Sequence, residues 1–335
     1  MDITVLTSIF NLEHLDTLEV TMGGGAGAHL LNVALGLVMF GIALGIKPAN
    51  FVSIIKNPKS IITGIVCQIL LLPALTFVLI VACGNLLSPM VALGMILVAA
   101  CPGGNVSNFI TSLSRGNSEL SVSLTAFNTA VCIFTTPINF AFWGKMYLNY
   151  AGNHDIVLPH LEIPFWEIFQ SIVIIMGIPL ILGMLCSHYY PKIAKKLNKP
   201  LQRLSIVVFI AMVVIIFTSN FQTFLDCIAS IFIIVLVHNL LALGIGFGTS
   251  SALKLHYKER RTLTIETGIQ NSGLGLILLM NPNIFPKEIA GEATVWAANG
   301  GMVVITAWWG VWHIISGFTL AYLWKIRGRK EENEE

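Results

Sequence analysis

Long apolar runs alternate with short polar segments from about residue 29 to residue 324. Each run holds about 18 to 25 residues, the length that an α-helix needs to cross the hydrocarbon core of a bilayer. There are nine such runs, at 29–46, 60–82, 90–112, 120–143, 166–186, 204–222, 228–250, 263–281 and 298–324. The pattern predicts an all-α integral membrane protein with about nine transmembrane helices.

The composition of the chain is also that of a membrane protein. Hydrophobic residues make up 55% of the chain and charged residues only 11%, whereas an average globular chain carries about 25% charged residues. No nucleotide-binding P-loop and no cytoplasmic domain is visible in the sequence, so transport driven by ATP would need a partner. We expect the lipid bilayer as the surrounding partner, no nucleic acid and no obligate protein partner.

The basic residues predict the orientation. If the segment after the first run is cytoplasmic, 17 of the 19 basic residues lie inside and only Lys145 and Lys287 lie outside. Short cytoplasmic loops carry such an excess of lysine and arginine. We therefore expect a multi-pass protein of the cell membrane with its N-terminus outside and its C-terminus in the cytoplasm.

The two ends differ from the predicted transporter region at 29–324. Residues 1–28 contain a short apolar stretch followed by acids and the flexible "GGGAG" at 23–27, and they lack the positive n-region of a secretory signal peptide. We expect an external N-terminal segment. Residues 325–335, "KIRGRKEENEE", are expected to form a charged, solvated cytoplasmic tail.

Two of the predicted spans contain helix-breaking stretches. The third, near 90–112, includes "CPGGNVSN", and the eighth, near 263–281, includes "ETGIQNSGLG". Proline removes a backbone donor and glycine weakens a helix, and broken backbone at membrane depth is tolerated only where it is buried or lines a cavity. Because the two segments are five spans apart, they enter the membrane from opposite sides. Paired breaks of this kind predict inverted-topology repeats and a transporter site near the midplane.

Glu266 lies beside the second break, well inside a predicted span. An ionised carboxylate there needs a cation or a proton, so Glu266 is a cation ligand, a proton carrier, or a protonated structural glutamate. Neutral oxygen donors accompany it, including Gln270 and Asn271 in the same span and Gln68 in the second. Hard cations prefer oxygen ligands of this kind.

These stretches resemble the bile acid:sodium symporter family. "CPGGNVSN" and "ETGIQNSGL" are similar to its two crossing-helix motifs, and "SRGNSELSVSLTAFNT", "LVHNLLALGIGFG" and "VWHIISG" follow in the family's order. The similarity runs from about residue 29 to the last span. It implies a core domain with two discontinuous crossing helices, a smaller panel domain, and sodium-coupled uptake of an organic anion such as a bile acid or a small carboxylate by alternating access.

The resemblance also implies two sodium sites and a substrate site. The first sodium site would use Ser107, Asn108, Ser121, Thr125 and Glu266. The second would use Gln68, Glu266 and Gln270, with backbone carbonyls at Thr267 and Ile269. The organic anion would contact Asn105, Asn271 and His313. Bacterial relatives often have asparagine where this chain has Ile314, which leaves the identity of the anion open.

Other functions remain as alternatives. A transporter of the same fold could export arsenite through a reactive Cys101, or exchange sodium for protons, although antiporters typically use a paired aspartate that is absent here. An intramembrane enzyme built on Cys101, His238 and His313 is a remote third, and a channel fits poorly with two paired breaks. The six cysteines are scattered without a CxxC pair, which favours packing roles. His238 with Asn239 suits an interhelical hydrogen-bonding pair better than a ligand.

Overall fold

The computed structural model describes residues 58–154, 165–219, 221–280 and 299–332, with a few scattered positions before residue 46. The regular structure in these ranges is helical. The first five helices are α1 Pro58–Leu86, α2 Pro89–Ala100, α3 Val106–Leu113, α4 Ser118–Gly152 and α5, which runs from Phe165 through to Tyr189. The others are α6 Pro191–Ser219, α7 Phe221–Ala252, α8 Tyr257–Gly268, α9 Ser272–Leu279 and α10 Gly300–Glu332.

Several of these helices have the dimensions of membrane spans. Within the described residues, five are long and apolar enough to cross a bilayer: Pro58–Leu86, Ser118–Gly152, Ile168–Tyr189, Leu225–Ala252 and Gly300–Ile326. On α1, Ile62, Leu70 and Val78 leave more than half of their surface exposed. Apolar side chains exposed on a helix of this length are expected to contact lipid.

The predicted spans at 90–112 and 263–281 are each divided into two short helices, α2 with α3 and α8 with α9. Some predictions concern parts of the chain outside the described residues. These parts are the N-terminal segment 1–28, most of the predicted first span and the segment between 281 and 298, and what the sequence predicts for them stays a prediction.

Two helices extend beyond the predicted apolar runs. α6 begins at Pro191 rather than near residue 204, and α10 continues to Glu332 through most of the charged C-terminal stretch. Lysine, arginine, glutamate and leucine are good helix formers. A hydropathy pattern marks where a helix leaves the apolar layer, not where the helix ends.

Two wide turns interrupt otherwise regular helices. π-helical segments occur at Cys67–Leu71 in α1 and Val173–Gly177 in α5, and a proline lies two residues after the end of each, at Pro73 and Pro179. A proline ring clashes with the carbonyl of the preceding turn, and a π-bulge widens that turn. In α1 the bulge includes Gln68, one of the predicted site residues.

The interrupted helices occupy the centre of the packing. All twelve residues of α2 are buried, and the helix packs against α1, α4 and α10. In α8 the last eight residues, Arg261–Gly268, are buried, and the helix packs against α3, α4 and most closely α7. At Gly246 of α7, a β-carbon would overlap the backbone of Leu263 and Thr264. Glycine therefore permits the close α7–α8 approach.

Candidate functional site

The two helix interruptions cross and satisfy each other's backbone. The Gly104 N–H donates to the Ile269 carbonyl at 2.8 Å, and the Asn271 N–H donates to the Pro102 carbonyl at 2.8 Å. An antiparallel bridge joins Gly103 to Gln270 between these bonds. Buried backbone groups must find partners where no water is available. Each break thus supplies the hydrogen bonds that the other lost.

Side chains from the long helices cap the carbonyl ends of the first half-helices. Thr136 of α4 donates from Oγ1 to the Ala100 carbonyl at 2.9 Å. Asn239 of α7 donates from Nδ2 to the Gly268 carbonyl at 2.8 Å, and Asn239 Oδ1 accepts from Ser316 of α10 at 2.6 Å. Both half-helix ends are therefore held by polar side chains of long helices.

Glu266 lies at the centre of a cluster of neutral oxygen atoms. Its Oε1 accepts from Ser107 at 2.5 Å and from Ser121, and its Oε2 accepts from Thr125 at 3.0 Å. Asn108 Oδ1 also accepts from Ser121 at 2.9 Å and from Thr125 at 3.3 Å. These five residues, called the carboxylate cluster below, are the five assigned by resemblance to the first sodium site.

The carboxylate cluster has the chemistry of a hard-cation site. Glu266 is 3% exposed, and its three donors in the cluster are uncharged hydroxyls. A hydroxyl carries two lone pairs besides its proton, so rotation of these groups could present oxygen to a cation between them. The nearby basic residue Arg261 donates instead to the Ser114 carbonyl at 3.0 Å. The described residues hold no group of three His, Cys, Asp or Glu suited to a metal ion.

A second cluster lies on the α1 side of the crossing. Gln68 Nε2 donates to Gln270 Oε1 at 2.7 Å and to the Cys101 carbonyl at 3.0 Å. Gln270 Nε2 donates back to Gln68 Oε1 at 3.2 Å and to the Thr267 carbonyl at 2.7 Å. We call Gln68, Gln270 and the Thr267 carbonyl the amide cluster. The carbonyl of Ile269, also expected here, accepts from Gly104.

Glu266 was expected in both sites, and its described side-chain hydrogen bonds all go to the carboxylate cluster. A β-carbon placed on Gly103 would lie 3.4 Å from Glu266 Oε2 and 3.9 Å from the Ile269 carbonyl. The carboxylate therefore borders the crossing itself, where the absence of a side chain on Gly103 leaves its Oε2 edge open.

The expected substrate residues are distributed over two places. Asn105 is exposed just before α3, and Asn271 caps α9 by accepting from the Leu274 N–H at 3.1 Å. His313 is 4% exposed on α10, and its Nδ1 has no hydrogen-bond partner among the described residues. None of the described hydrogen bonds joins His313 to either asparagine.

His238 and Asn239 contact different partners rather than forming one pair. His238 Nε2 lies 2.8 Å from Thr76 Oγ1, and its ring centroid lies 4.5 Å from the Trp309 ring. Asn239 contacts Gly268 and Ser316 as described above. The interhelical hydrogen bonding expected of this dipeptide is present, with each residue joining a different set of helices.

The sequence analysis did not identify Thr136 or Thr76 as residues near the site. Both are fully buried hydroxyls inside long apolar helices. The available signal was a polar residue within an apolar run. That signal is weak, because such threonines often donate to the carbonyl of their own preceding turn.

The sequence pattern described as the Sodium Bile acid symporter family matches residues 32–227. "Uncharacterized sodium-dependent transporter YocS" of Bacillus subtilis (strain 168) is 29% identical over 302 residues, covering 90% of this chain and 85% of the relative. The human "Ileal sodium/bile acid cotransporter" is 27% identical over 245 residues, covering 73% of this chain and 67% of the relative.

A solved structure also shares the fold. The sodium proton antiporter MjNhaP1 from Methanocaldococcus jannaschii superimposes with a TM-score of 0.51, covering 95% of this chain and 91% of that one. At 13% sequence identity, this likeness concerns the architecture and not the transported ions.

Proposed function

This chain belongs to the Sodium Bile acid symporter family, and on that premise we propose that it takes up an organic anion together with sodium. The family and the relatives named above are transporters, so the chain is a transporter and not an enzyme. We propose a bile acid or a small carboxylate as the anion. The relatives' names extend from a bile acid cotransporter to a transporter without a stated cargo, so the anion is identified here by charge alone.

The carboxylate cluster is the observation that carries this proposal. Glu266 of α8 meets four neutral oxygen-bearing residues of α3 and α4 at the crossing, more than 140 residues away in sequence. We propose that one sodium ion binds within the carboxylate cluster. A second sodium ion binds between Glu266 and the amide cluster, where carbonyl and carboxamide oxygens converge. Oxygen ligands in a flexible arrangement suit hard cations.

Charge explains how sodium and an anion would be coupled. Two sodium ions around one carboxylate leave the site with a net charge of about +1, which attracts an anion. The N-terminal ends of α3 and α9 add partial positive charge on the two sides of the crossing. Asn105 and Asn271 lie at these two ends. Sodium binding would therefore raise the affinity for an anion held there, with His313 as a further contact.

The finer architecture belongs to the same proposal. We propose nine spans arranged as inverted repeats, with the external segment 1–28 before them and the cytoplasmic tail 325–335 after them. The core domain carries the crossing, and a panel domain moves against it to open the site alternately to each side. Inward movement of sodium would be driven by about 2.3 kcal/mol per charge per 100 mV.

The alternative cargos receive less support from the site. Cys101, the residue that an arsenite exporter of this fold would use, is 1% exposed in the hydrophobic core, and a β-carbon on Gly275 would contact its Sγ at 3.6 Å. A buried thiol packed in this way is a poor metalloid ligand. The fold likeness to an antiporter is by itself no argument for proton exchange.

Uptake into proteoliposomes tests the proposal. Purified protein would be assayed with a panel of radiolabelled bile acids, pantoate and other carboxylates, with an inward sodium gradient and with potassium in its place. We expect saturable uptake of at least one anion that requires the sodium gradient. Equal uptake in potassium, or sodium-dependent efflux of arsenite without anion uptake, would contradict the proposal.

A further inference from the structure

Polar residues form a stripe along one face of α4 that continues beyond the carboxylate cluster. The stripe consists of five residues at successive intervals of four, three, seven and four: Ser121, Thr125, Asn128, Thr135 and Asn139. These intervals keep side chains on one face of a helix. The first two residues hydrogen-bond to Glu266. The last three belong to neither cluster, although they continue the same face through the middle of a helix that is long enough to span a membrane.

The last three residues line a small cavity against the amide cluster. Its walls include Gln68, Cys101, Asn128, Thr135 and Asn139. Its volume of about 10 Å³ corresponds to a single water molecule. An organic anion cannot enter a space of this size, whereas a water molecule or a sodium ion that has shed most of its water can.

Asn128 is the feature of this cavity that calls for a ligand. The residue is 3% exposed, and its Oδ1 has no hydrogen-bond partner among the described residues. A buried acceptor without a partner is costly, so the structure leaves a position where a cation or a water proton is favoured. Gln68, Thr135 and Asn139 also line the cavity and carry neutral oxygen atoms, the ligands that hard cations prefer, beside apolar residues such as Ile69 and Ala100.

We propose that this cavity is an access site for sodium, through which the ion reaches the amide cluster from the outer side of the membrane. Sodium passes from Asn139 to Thr135 and is held briefly by Asn128 Oδ1. It then transfers to Gln68, which lines the cavity and belongs to the amide cluster. The inference rests on the proposed function for the identity of the ion and for the outer side. It adds that sodium and the organic anion enter by separate routes.

The sodium dependence of uptake tests the role of Asn128. Asn128→Leu removes the oxygen at similar side-chain size. We expect it to raise the sodium concentration for half-maximal uptake about tenfold, the effect of losing one contact of hydrogen-bond strength. The anion concentration for half-maximal uptake at saturating sodium should be unchanged. Phe134→Leu, at a position that is 57% exposed on another face of α4, should match the wild type. An unchanged sodium requirement in Asn128→Leu, or a change confined to the anion, would overturn the proposal.

Accessibility to a sodium-sized ion tests the route without relying on uptake. In a full chain whose six native cysteines are replaced by alanine, single cysteines at Thr135 and Asn139 would be exposed to external Ag⁺, a soft ion that binds thiolate. Matched single cysteines at Phe134 and Ile138, which are exposed outside the cavity, serve as controls. Protection of the thiols from later maleimide labelling in denaturant reports the reaction with Ag⁺.

We expect Ag⁺ to react at positions 135 and 139, to react at least tenfold more slowly at 134 and 138, and to be slowed by sodium at the first pair only. Equal reactivity of all four positions, or no effect of sodium, would overturn the access site. This readout also separates the two proposals. If no anion in the panel is taken up with sodium, the proposed function fails, while sodium protection at 135 and 139 would still show where the ion enters.

Discussion

The Gly104 N–H donates to the Ile269 carbonyl at 2.8 Å, so two helix interruptions that are 165 residues apart in sequence lie at the same depth. Together with the bond from the Asn271 N–H to the Pro102 carbonyl, it joins the breaks at which the half-helices α2, α3, α8 and α9 meet. It also brings Glu266, one turn before Ile269, within reach of α3 and α4. The sodium chemistry proposed for the protein depends on the backbone geometry at this point.

Gly104 should therefore tolerate no side chain. A β-carbon there would lie 2.9 Å from the Gln270 carbonyl oxygen, and that oxygen is backbone that cannot rotate away. Gly104→Ala should lower the free energy of unfolding by about 1–3 kcal/mol, the usual cost of overpacking, and should abolish sodium-dependent uptake. Thermal unfolding in detergent and proteoliposome uptake measure the two effects.

Gly248→Ala provides the matched control for that substitution. Nothing lies within 4 Å of a β-carbon at Gly248, about one turn before the C-terminal end of α7, and alanine favours a helix over glycine by about 0.5–1 kcal/mol. The control should be as stable as the wild type or slightly more stable. If Gly104→Ala and Gly248→Ala had the same stability and the same uptake, the close backbone contact at Gly104 would not be required.

Glu266 should be required in its ionised form. Glu266→Gln keeps the size and some hydrogen bonding of the side chain but removes the charge shared by the proposed cations. Loss of one charge-assisted contact costs about 1.5–3 kcal/mol, so sodium affinity should fall roughly 10- to 100-fold and coupled uptake should be lost at ordinary sodium concentrations. Glu119→Gln, on the exposed first turn of α4, should transport normally. Full sodium-dependent uptake by Glu266→Gln would assign Glu266 a structural role instead.

Gln68 and Gln270 should act as one unit in sodium binding. Each side chain donates to the other, so Gln68→Ala also leaves Gln270 without that partner. We expect Gln68→Ala and Gln270→Ala each to raise the sodium concentration for half-maximal uptake. In the double variant, the loss of sodium-binding free energy should be smaller than the sum of the two single losses. Contacting residues typically show coupling of about 0.5–3 kcal/mol. Gln222→Ala, at an exposed site near the start of α7, is the control. Strict additivity would mean that the two amides act independently.

Asn239 should stabilise the end of α8. Asn239→Ala leaves the Gly268 carbonyl without its 2.8 Å donor, and it leaves the Ser316 hydroxyl with only the His313 carbonyl as acceptor, at 3.1 Å. The expected loss in unfolding free energy is about 1–3 kcal/mol, the cost of a buried polar group without a partner. Chemical or thermal unfolding in detergent measures this loss. Leu240→Ala, at a neighbouring residue that is 57% exposed, should change stability much less. Similar losses in both variants would remove the special role given to Asn239.

The orientation can be tested by labelling from the two sides. Single cysteines at Asn153 and His154, exposed after the end of α4, should react with an impermeant thiol reagent added outside intact cells. Cysteines at Lys195 and Lys196, exposed on α6, should react only after the cells are opened. The six native cysteines are buried or partly buried and give the background level. The reverse pattern would invert the proposed topology.

Local properties of the sequence were sufficient for the general architecture. The length and hydropathy of each run predicted helical membrane segments, and the structure has five helices of suitable length and composition among its described residues. Proline and glycine within "CPGGNVSN" and "ETGIQNSGLG" predicted the two interruptions, because these residues disfavour a helix wherever they occur. Helix ends were less well predicted, since the charged residues after α10's apolar part also form helix.

The candidate site was only partly accessible from sequence. A glutamate beside a helix break indicated a cation or proton site, because a buried charge requires compensation. The particular partners of Glu266 came from resemblance to a family and not from spacing along the chain. Ser107 is 159 residues from Glu266 in sequence, and nothing local relates the two.

What the sequence by itself determined is a membrane protein with two broken helices and one carboxylate beside a break. The tertiary structure alone decided that the two breaks cross, that Thr136 and Asn239 cap the half-helices, and that the polar face of α4 extends past Glu266 to a small cavity. The physical reason is the distance along the chain over which each kind of interaction acts. Hydropathy and helix propensity act within a few turns, whereas hydrogen bonds between interruptions depend on how distant helices pack.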